Sequence, residues 1–246
     1  EDLAAARTWL DRARRQRPDA PEVLRLAGAL AKLADDERGF TEAEQANARM
    51  NPLDGRFHLE AARWLEMAHR YREVLELLRK AIEREPELWQ AHAALGMGYA
   101  RIADDVNARK HLEAAYSGDP FDVRTSNQLK VLYDNVLKQM VLLPGRAVDL
   151  RVHRRDRKAL ERTILPFLQQ SHAALTQKYG FAPARPLQVE IFPETEQFSV
   201  RTAGLPNLGA HSVCFGHLIT SRSPVEAPFD WKNVLYHELV HVYHIQ

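Results

Sequence analysis

The sequence predicts a two-part fold class, an all-α first half followed by an α+β second half. Three observations predict it. Prolines stand at Pro18, Pro52, Pro86 and Pro120, each 34 residues after the last and each behind a helical stretch. After Leu142-Leu143-Pro144-Gly145 the composition changes, and segments of alternating apolar and polar residues begin. The final stretch, Trp231 to Gln246, is strongly apolar and carries no proline.

A 34-residue period fits two antiparallel helices per unit, with Pro ending the second because it cannot continue the hydrogen-bond ladder. Small residues at Gly28, Ala62 and Gly96 let the two helices of a unit approach closely. Large residues fill the seam between stacked units. In the third unit Leu95, Gly96, Tyr99, Ala108, Leu112, Ala115 and Pro120 follow this plan; in the second, Ala61, Ala62, Leu65, Val74, Leu78, Ala81 and Pro86 do. The first unit has Ala27, Gly28 and Ala31 but then Phe40, Glu44 and Asn47, a poorer second helix. Ala6, Leu10 and Ala13 read as the second helix of a partial unit. This pattern resembles the tetratricopeptide repeat. The resemblance implies a right-handed stack of helix pairs over 1–138, with the start of a fourth unit at 122–138. It also implies a surface that takes a protein or peptide partner. Trp9, Trp64, Trp89 and Tyr99 are expected in its core or groove.

Residues 139–246 read as a second domain, a mixed sheet packed on helices. Ala147–Val152 and Leu187–Phe192 alternate as strands. Arg157–Tyr179 keeps a helical period through Leu160, Ile164, Leu168 and Leu175 and ends at Gly180. Pro183 and Pro186 delimit a loop, and 194–203 forms a short helix around Phe198. Gly204 to Gly209 is a loop, and His211–Thr220 is one strand or a hairpin. Asp230 caps the helix Trp231–Gln246.

Composition narrows the partners. Lys+Arg 34 against Asp+Glu 33 leaves a net charge of +1, which gives no reason to expect nucleic acid. The single cysteine, Cys214, excludes an intrachain disulfide scaffold but does not separate cytoplasm from periplasm. No apolar run approaches the ~20 residues of a membrane helix, so no membrane segment is expected in this chain. The chain begins without Met inside a helical pattern, as a piece of a longer protein would.

The last helix holds the chemistry, in His237-Glu238-Leu239-Val240-His241. At 100° per residue the two histidines lie about 40° apart and roughly 6 Å along the axis. Both imidazoles then share one face and can grip one Zn²⁺. Glu238 sits beside them, placed to take a proton from water rather than to bind metal. The flanking Val234, Leu235, Leu239, Val240 and Val242 suit a helix buried behind such a site.

With Val189-Glu190-Ile191-Phe192-Pro193, Phe198-Ser199-Val200-Arg201-Thr202, Gly204-Leu205-Pro206, Cys214-Phe215-Gly216 and Ser223-Pro224, this motif makes Leu187–Gln246 similar to the peptidase-MA-like, gluzincin-type domain that follows tetratricopeptide repeats in bacterial proteins. The resemblance implies the N-terminal part of a zincin-like α+β domain and a zinc-dependent metallopeptidase acting on peptides. His237 and His241 are the metal ligands it implies, and Glu238 the general base. Its third ligand is a Glu on a following helix, expected beyond Gln246. Zinc is therefore expected in a longer parent and weakly or not at all in this chain, which is expected to be inactive. The alternative is a non-catalytic repeat protein that binds partners and carries a degenerate peptidase-like domain.

Four further features are weighed. On a strand, His211 and His217 face one side and Cys214 the other, so the three do not converge on a metal. The segment 210–220 is instead the expected edge strand beside the site, where His211 or His217 can meet substrate. His244, on the same face as His237, is expected to pack or support the site. Arg151, Arg154, Arg155, Arg157 and Lys158 around His153 read as a solvated helix start.

Overall fold

Helix boundaries in the first half repeat at the spacing of the prolines. The structure, a computed structural model, describes residues 3–184 and 187–245. Pro186, read as a loop boundary, and Gln246, read as the last helical residue, lie outside the described residues. The first helices are α1 (Leu3–Gln16), α2 (Pro21–Leu33), α3 (Glu37–Met50), α4 (Arg56–Met67), α5 (Tyr71–Arg84), α6 (Trp89–Arg101) and α7 (Asp105–Gly118). Helices α3, α5 and α7 start 34 residues apart and end 34 residues apart. The turn before each repeats too: Asp35, His69 and Ala103 take positive φ of 55°, 59° and 61°. These are the left-handed residues that stop one helix and launch the next.

The chain divides into two compact units, Glu1–Gly98 with Ser117–Asp119, and Tyr99–Tyr116 with Pro120–Gln246. The boundary read from the sequence at 138/139 falls inside the second. In the first unit α2 packs on α3 and α4, and α4 on α5. Gly28 makes room for the next helix pair rather than for the other helix of its own, since what it faces is Phe57 of α4. A Cβ at Gly28 would lie 2.4 Å from Phe57 Cζ, in a core where Phe57 is fully buried. The poorer second helix of the first repeat forms as α3. Its N-cap Asp36 accepts the Gly39 N–H at 2.8 Å. Buried Asn47 is satisfied by Asp54, which also takes a bidentate contact from Arg25.

The second unit begins with the last residues of α6 and most of α7. The expected helix at 122–138 is present but irregular. An α-helical turn, α8 (Val123–Asn127), widens into a π-helical stretch over Gln128–Val136 and tightens to a 3₁₀ turn at Leu137–Gln139. Strand β1 (Met140–Leu143) follows where the sequence suggested only a break. Then come β2 (Asp149–His153), α9 (Arg157–Tyr179), β3 (Gln188–Phe192), α10 (Thr195–Ala203), β4 (Ser212–Cys214), β5 (Leu218–Arg222) and α11 (Trp231–Ile245). Gly180 closes α9 at φ 77°, and Gly204 closes α10 at φ 73°.

Among the described residues the strands form one mixed sheet in the order β1-β2-β3-β5-β4. The inner pairs β2–β3 and β3–β5 are parallel, and the outer pairs are antiparallel. Alternation sorts the two faces. Val189, Ile191 and Ile219 join Ile164 and Leu168 of α9 and Leu235, Leu239 and Val242 of α11 in one apolar cluster. Glu190 and Thr220 point to the other face, where they meet Arg201 and Thr202 of α10. The segment 211–220 is a hairpin rather than one strand, because Gly216 turns the chain at φ 86°.

One buried network crosses this unit. Arg201 donates to both oxygens of Glu190 (2.8 and 3.2 Å), and Arg151 donates to Glu190 (3.1 Å) and to Asp105. The Tyr133 hydroxyl donates to Asp105 at 3.1 Å. Two cations and two anions balance. Burial alone would raise the Asp105 carboxyl, but Arg201 and Arg151 outweigh it and hold it below its ordinary value. Arg151 is thus not part of a solvated helix start. It lies on β2, and its side chain turns inward to Glu190.

Candidate functional site

Helix α11 carries its apolar residues to the α9 side of the sheet and leaves His237 and His241 exposed. Tyr243, two residues beyond the motif, fixes how the helix is turned. Its hydroxyl donates to the His172 carbonyl of α9 at 2.9 Å and meets the Thr176 hydroxyl at 2.7 Å. Tyr179 stacks on the Tyr243 ring and bonds His244 at 3.0 Å. His244 is therefore held by α9 rather than turned to the other two histidines.

Of the sequence-derived trio, the two histidines come together. Nε2 of His237 and Nε2 of His241 lie 2.9 Å apart. Two imidazoles sharing one tetrahedral Zn²⁺ at ~2.0–2.1 Å would stand about 3.3 Å apart, so this pair is near the required bite. The donor set, two imidazole nitrogens open to solvent, also fits zinc chemically. Among the described residues no group of three or more His, Cys, Asp or Glu converges for a metal. His241 is held below its ordinary value by burial, and then by the charges of His237 and His244.

Glu238, about 60–100° round the helix from the two histidines, is only 8% exposed. Burial pushes its carboxyl above the ordinary carboxylate range; His237 and a hydrogen bond from the Cys214 backbone N–H pull it partly back. The helix packs against strand β4 here. Phe215 N–H donates to Leu218 and Arg222 N–H to the His211 carbonyl, so these residues pair inward with β5. By alternation Ser212 and Cys214 turn their backbone groups to the open edge of β4. The Cys214 thiol is half-buried near Glu238, and burial and that charge push it up to about 12. It is a packed, unreactive sulfur.

His211, Cys214 and His217 do not assemble. His211 packs edge-on against Phe229, Cys214 meets Glu238, and the His217 carbonyl accepts from Gln188. The link from Glu238 to the Cys214 N–H had no sequence signal, since a backbone donor is invisible in composition and spacing.

The chain matches no known protein-family model and no curated protein. Among the described residues, no helix is long and apolar enough to cross a membrane.

Proposed function

We propose that this chain is a tetratricopeptide-repeat array joined to a zinc-dependent metallopeptidase domain, with His237 and His241 as metal ligands and Glu238 as general base. The single observation that carries the reading is the arrangement around α11. Two exposed imidazole nitrogens converge at 2.9 Å, and the intervening Glu238 is buried with an edge-strand backbone N–H, that of Cys214, beside it. A buried core helix with incidental histidines gives no reason for that combination. The 34-residue recurrence of helix ends and left-handed turns supports the repeat half.

Each group has a task. His237 and His241 would hold Zn²⁺, which when bound would supply a Lewis acid that makes a water more acidic. Glu238, with its carboxyl raised by burial, would take a proton from the attacking water and pass it to the departing amine. The Cys214 N–H favours the charged form of that carboxylate. The Ser212 backbone groups and the Cys214 carbonyl face the open edge, where an extended peptide would add to the sheet as a further strand. In the first unit, an apolar groove of about 600 Å³ lined by Trp9, Leu10, Leu26, Leu30 and Trp64 suits a protein or peptide partner.

Tight zinc sites use three protein ligands, and the resemblance puts the third on a following helix. The test is therefore made in protein extended past Gln246, reading zinc content beside peptide hydrolysis. Glu238→Gln is expected to keep the metal and lose the rate by about 10²-fold or more. His241→Ala is expected to lose the metal. Full activity in Glu238→Gln would remove Glu238 as the base. An extended protein without zinc or hydrolysis would favour the non-catalytic, partner-binding reading.

A further inference from the structure

At the other end of strand β4 from Cys214 stands a second cluster. Arg222 and His211 face each other across the hairpin, and the His211 carbonyl accepts the Arg222 N–H at 3.1 Å. The Arg222 guanidinium lies over the Phe229 ring at 4.9 Å. His211 meets the same ring edge-on, with centroids 5.0 Å apart. Nε of Arg222 is buried without a hydrogen-bond partner, and among the described residues no carboxylate pairs with this arginine. A guanidinium that is partly desolvated and unpaired is costly unless an anion reaches it. The aromatic face offsets some of that cost and holds the fork in place. Burial and the charge of Arg222 depress His211, leaving a neutral imidazole as a further hydrogen-bond donor.

The spacing gives the cluster its meaning. His211 and Cys214 are three positions apart, or about 10 Å along a strand. Cys214 marks the Glu238 end of the open edge, and His211 marks the other.

We propose that Arg222, His211 and Phe229 form an anion subsite that takes a carboxylate of a peptide laid along the open edge of β4, about three residues from the group beside Glu238. The proposal rests on the peptidase reading for the peptide and its direction along the edge. The anion itself follows from the unpaired arginine. The carboxylate is that of an Asp or Glu side chain or of a peptide C-terminus.

The experiment is a titration of the full chain, without metal, with three short peptides of otherwise equal sequence. One is amidated and contains Glu, one is amidated with Gln in its place, and one has Gln and a free C-terminal carboxylate. Backbone amide shifts at 211–214 and 222 report the site, and the titration gives Kd. A carboxylate peptide is expected to bind about tenfold more tightly than the amidated Gln peptide, as a charged hydrogen bond commonly gives. Preference for the Glu peptide assigns the anion to a side chain; preference for the free acid assigns it to a terminus. Arg222→Gln should erase the preference without weakening the Gln peptide, and Arg222→Lys should keep part of it. Should Arg222→Gln unfold the hairpin, His211→Ala, at an exposed residue, should still reduce the preference several-fold. Equal binding of all three peptides, binding of none, or a preference that survives Arg222→Gln overturns the subsite. A protein that prefers the acid but neither holds zinc nor cleaves keeps the subsite and loses the peptidase reading. Cleavage in the extended protein with no acid preference does the reverse.

Discussion

The interior of the first unit is made of Phe57, Leu65, Leu78 and closely set small residues such as Gly28 and Ala62, and its exposed ion pairs sit on helix surfaces. The second unit has an apolar layer between α9, α11 and the sheet, but on the opposite face it buries two carboxylates, two guanidiniums and a phenol together. One interior is held by shape, the other partly by charge. Periodic burial tolerates a poor residue, as Asn47 shows by finding Asp54. A balanced ion network tolerates the loss of no single member, because each charge is desolvated and depends on the others.

The largest effect is therefore expected at Glu190. Glu190 is fully buried and holds both Arg201 and Arg151. Glu190→Ala should cost about 3–5 kcal/mol in denaturant unfolding, since it strands a buried guanidinium. The double variant Glu190→Leu with Arg201→Met should recover much of this, because it removes the charges as a pair. In the first unit, Glu42→Gln breaks the exposed Arg38 pair, which solvent screens, and should leave the denaturant midpoint almost unchanged. A Glu190→Ala cost as small as that of Glu42→Gln would break the contrast between the units.

Shape is tested at Gly28. Gly28→Val should cost about 1–3 kcal/mol by overpacking against Phe57. Phe57→Leu alone opens space and is also destabilising, but the double variant should cost less than the two singles together. A strictly additive pair would mean that the clash is not what Gly28 avoids.

Much of this was legible in the sequence, for physical reasons that differ by region. Recurrence at 34 residues announces helix pairs because each helix must show its apolar face at a fixed phase, and the boundaries of α3, α5 and α7 follow from it. The alternation in Leu187–Phe192 announces β3, and His237–His241 announces a shared helix face. Strand β1 was hidden because Met140–Leu143 is a short apolar run without alternation, ahead of a Pro-Gly break. The network was hidden because Asp105, Tyr133, Arg151, Glu190 and Arg201 share no period and meet only through the fold. Arg151 looked like one of five solvated charges for the same reason. The unpaired Arg222 had no signal at all: an arginine on a strand announces neither burial nor a missing partner.

A smaller, pH-dependent effect sharpens the picture of the first unit. His58 is buried, and burial lowers its pKa below the ordinary 6.5; its bond to Glu44 only partly opposes this, and Lys80 and Arg84 add to it. The unfolded chain then binds the proton more readily than the folded one. Stability should be full above 6.5 and fall as the pH drops below it. Comparing urea midpoints at about pH 7.5 and about pH 5, His58→Gln should lose less on acidification than the parent. An equal loss in both would mean that His58 is not the group whose protonation is penalised.

The smallest effect is expected where the two units share one device, the left-handed residue before α3, α5 and α7. Asp35, His69 and Ala103 hold equivalent positions, yet their side chains differ in what they return for the strain. Asp35 pairs with Arg70 at 2.8 Å, and His69 bonds the Tyr71 hydroxyl at 2.8 Å. Ala103, at φ 61°, has only a methyl group, which makes no hydrogen bond. A left-handed non-glycine residue costs roughly 1–2 kcal/mol, and glycine there removes that cost. Glycine also gains freedom in the unfolded chain, which takes back about 0.4–1 kcal/mol. The strain term is the larger, so Ala103→Gly should stabilise by up to about 1 kcal/mol. Asp35→Gly and His69→Gly relieve similar strain but lose a contact, and each should come out close to zero. Thermal unfolding of the three variants checks the order. Ala103→Gly as the least stable of them would show that the turn is not strained at Ala103, and that the recurrence of positive φ reflects the helix ends alone.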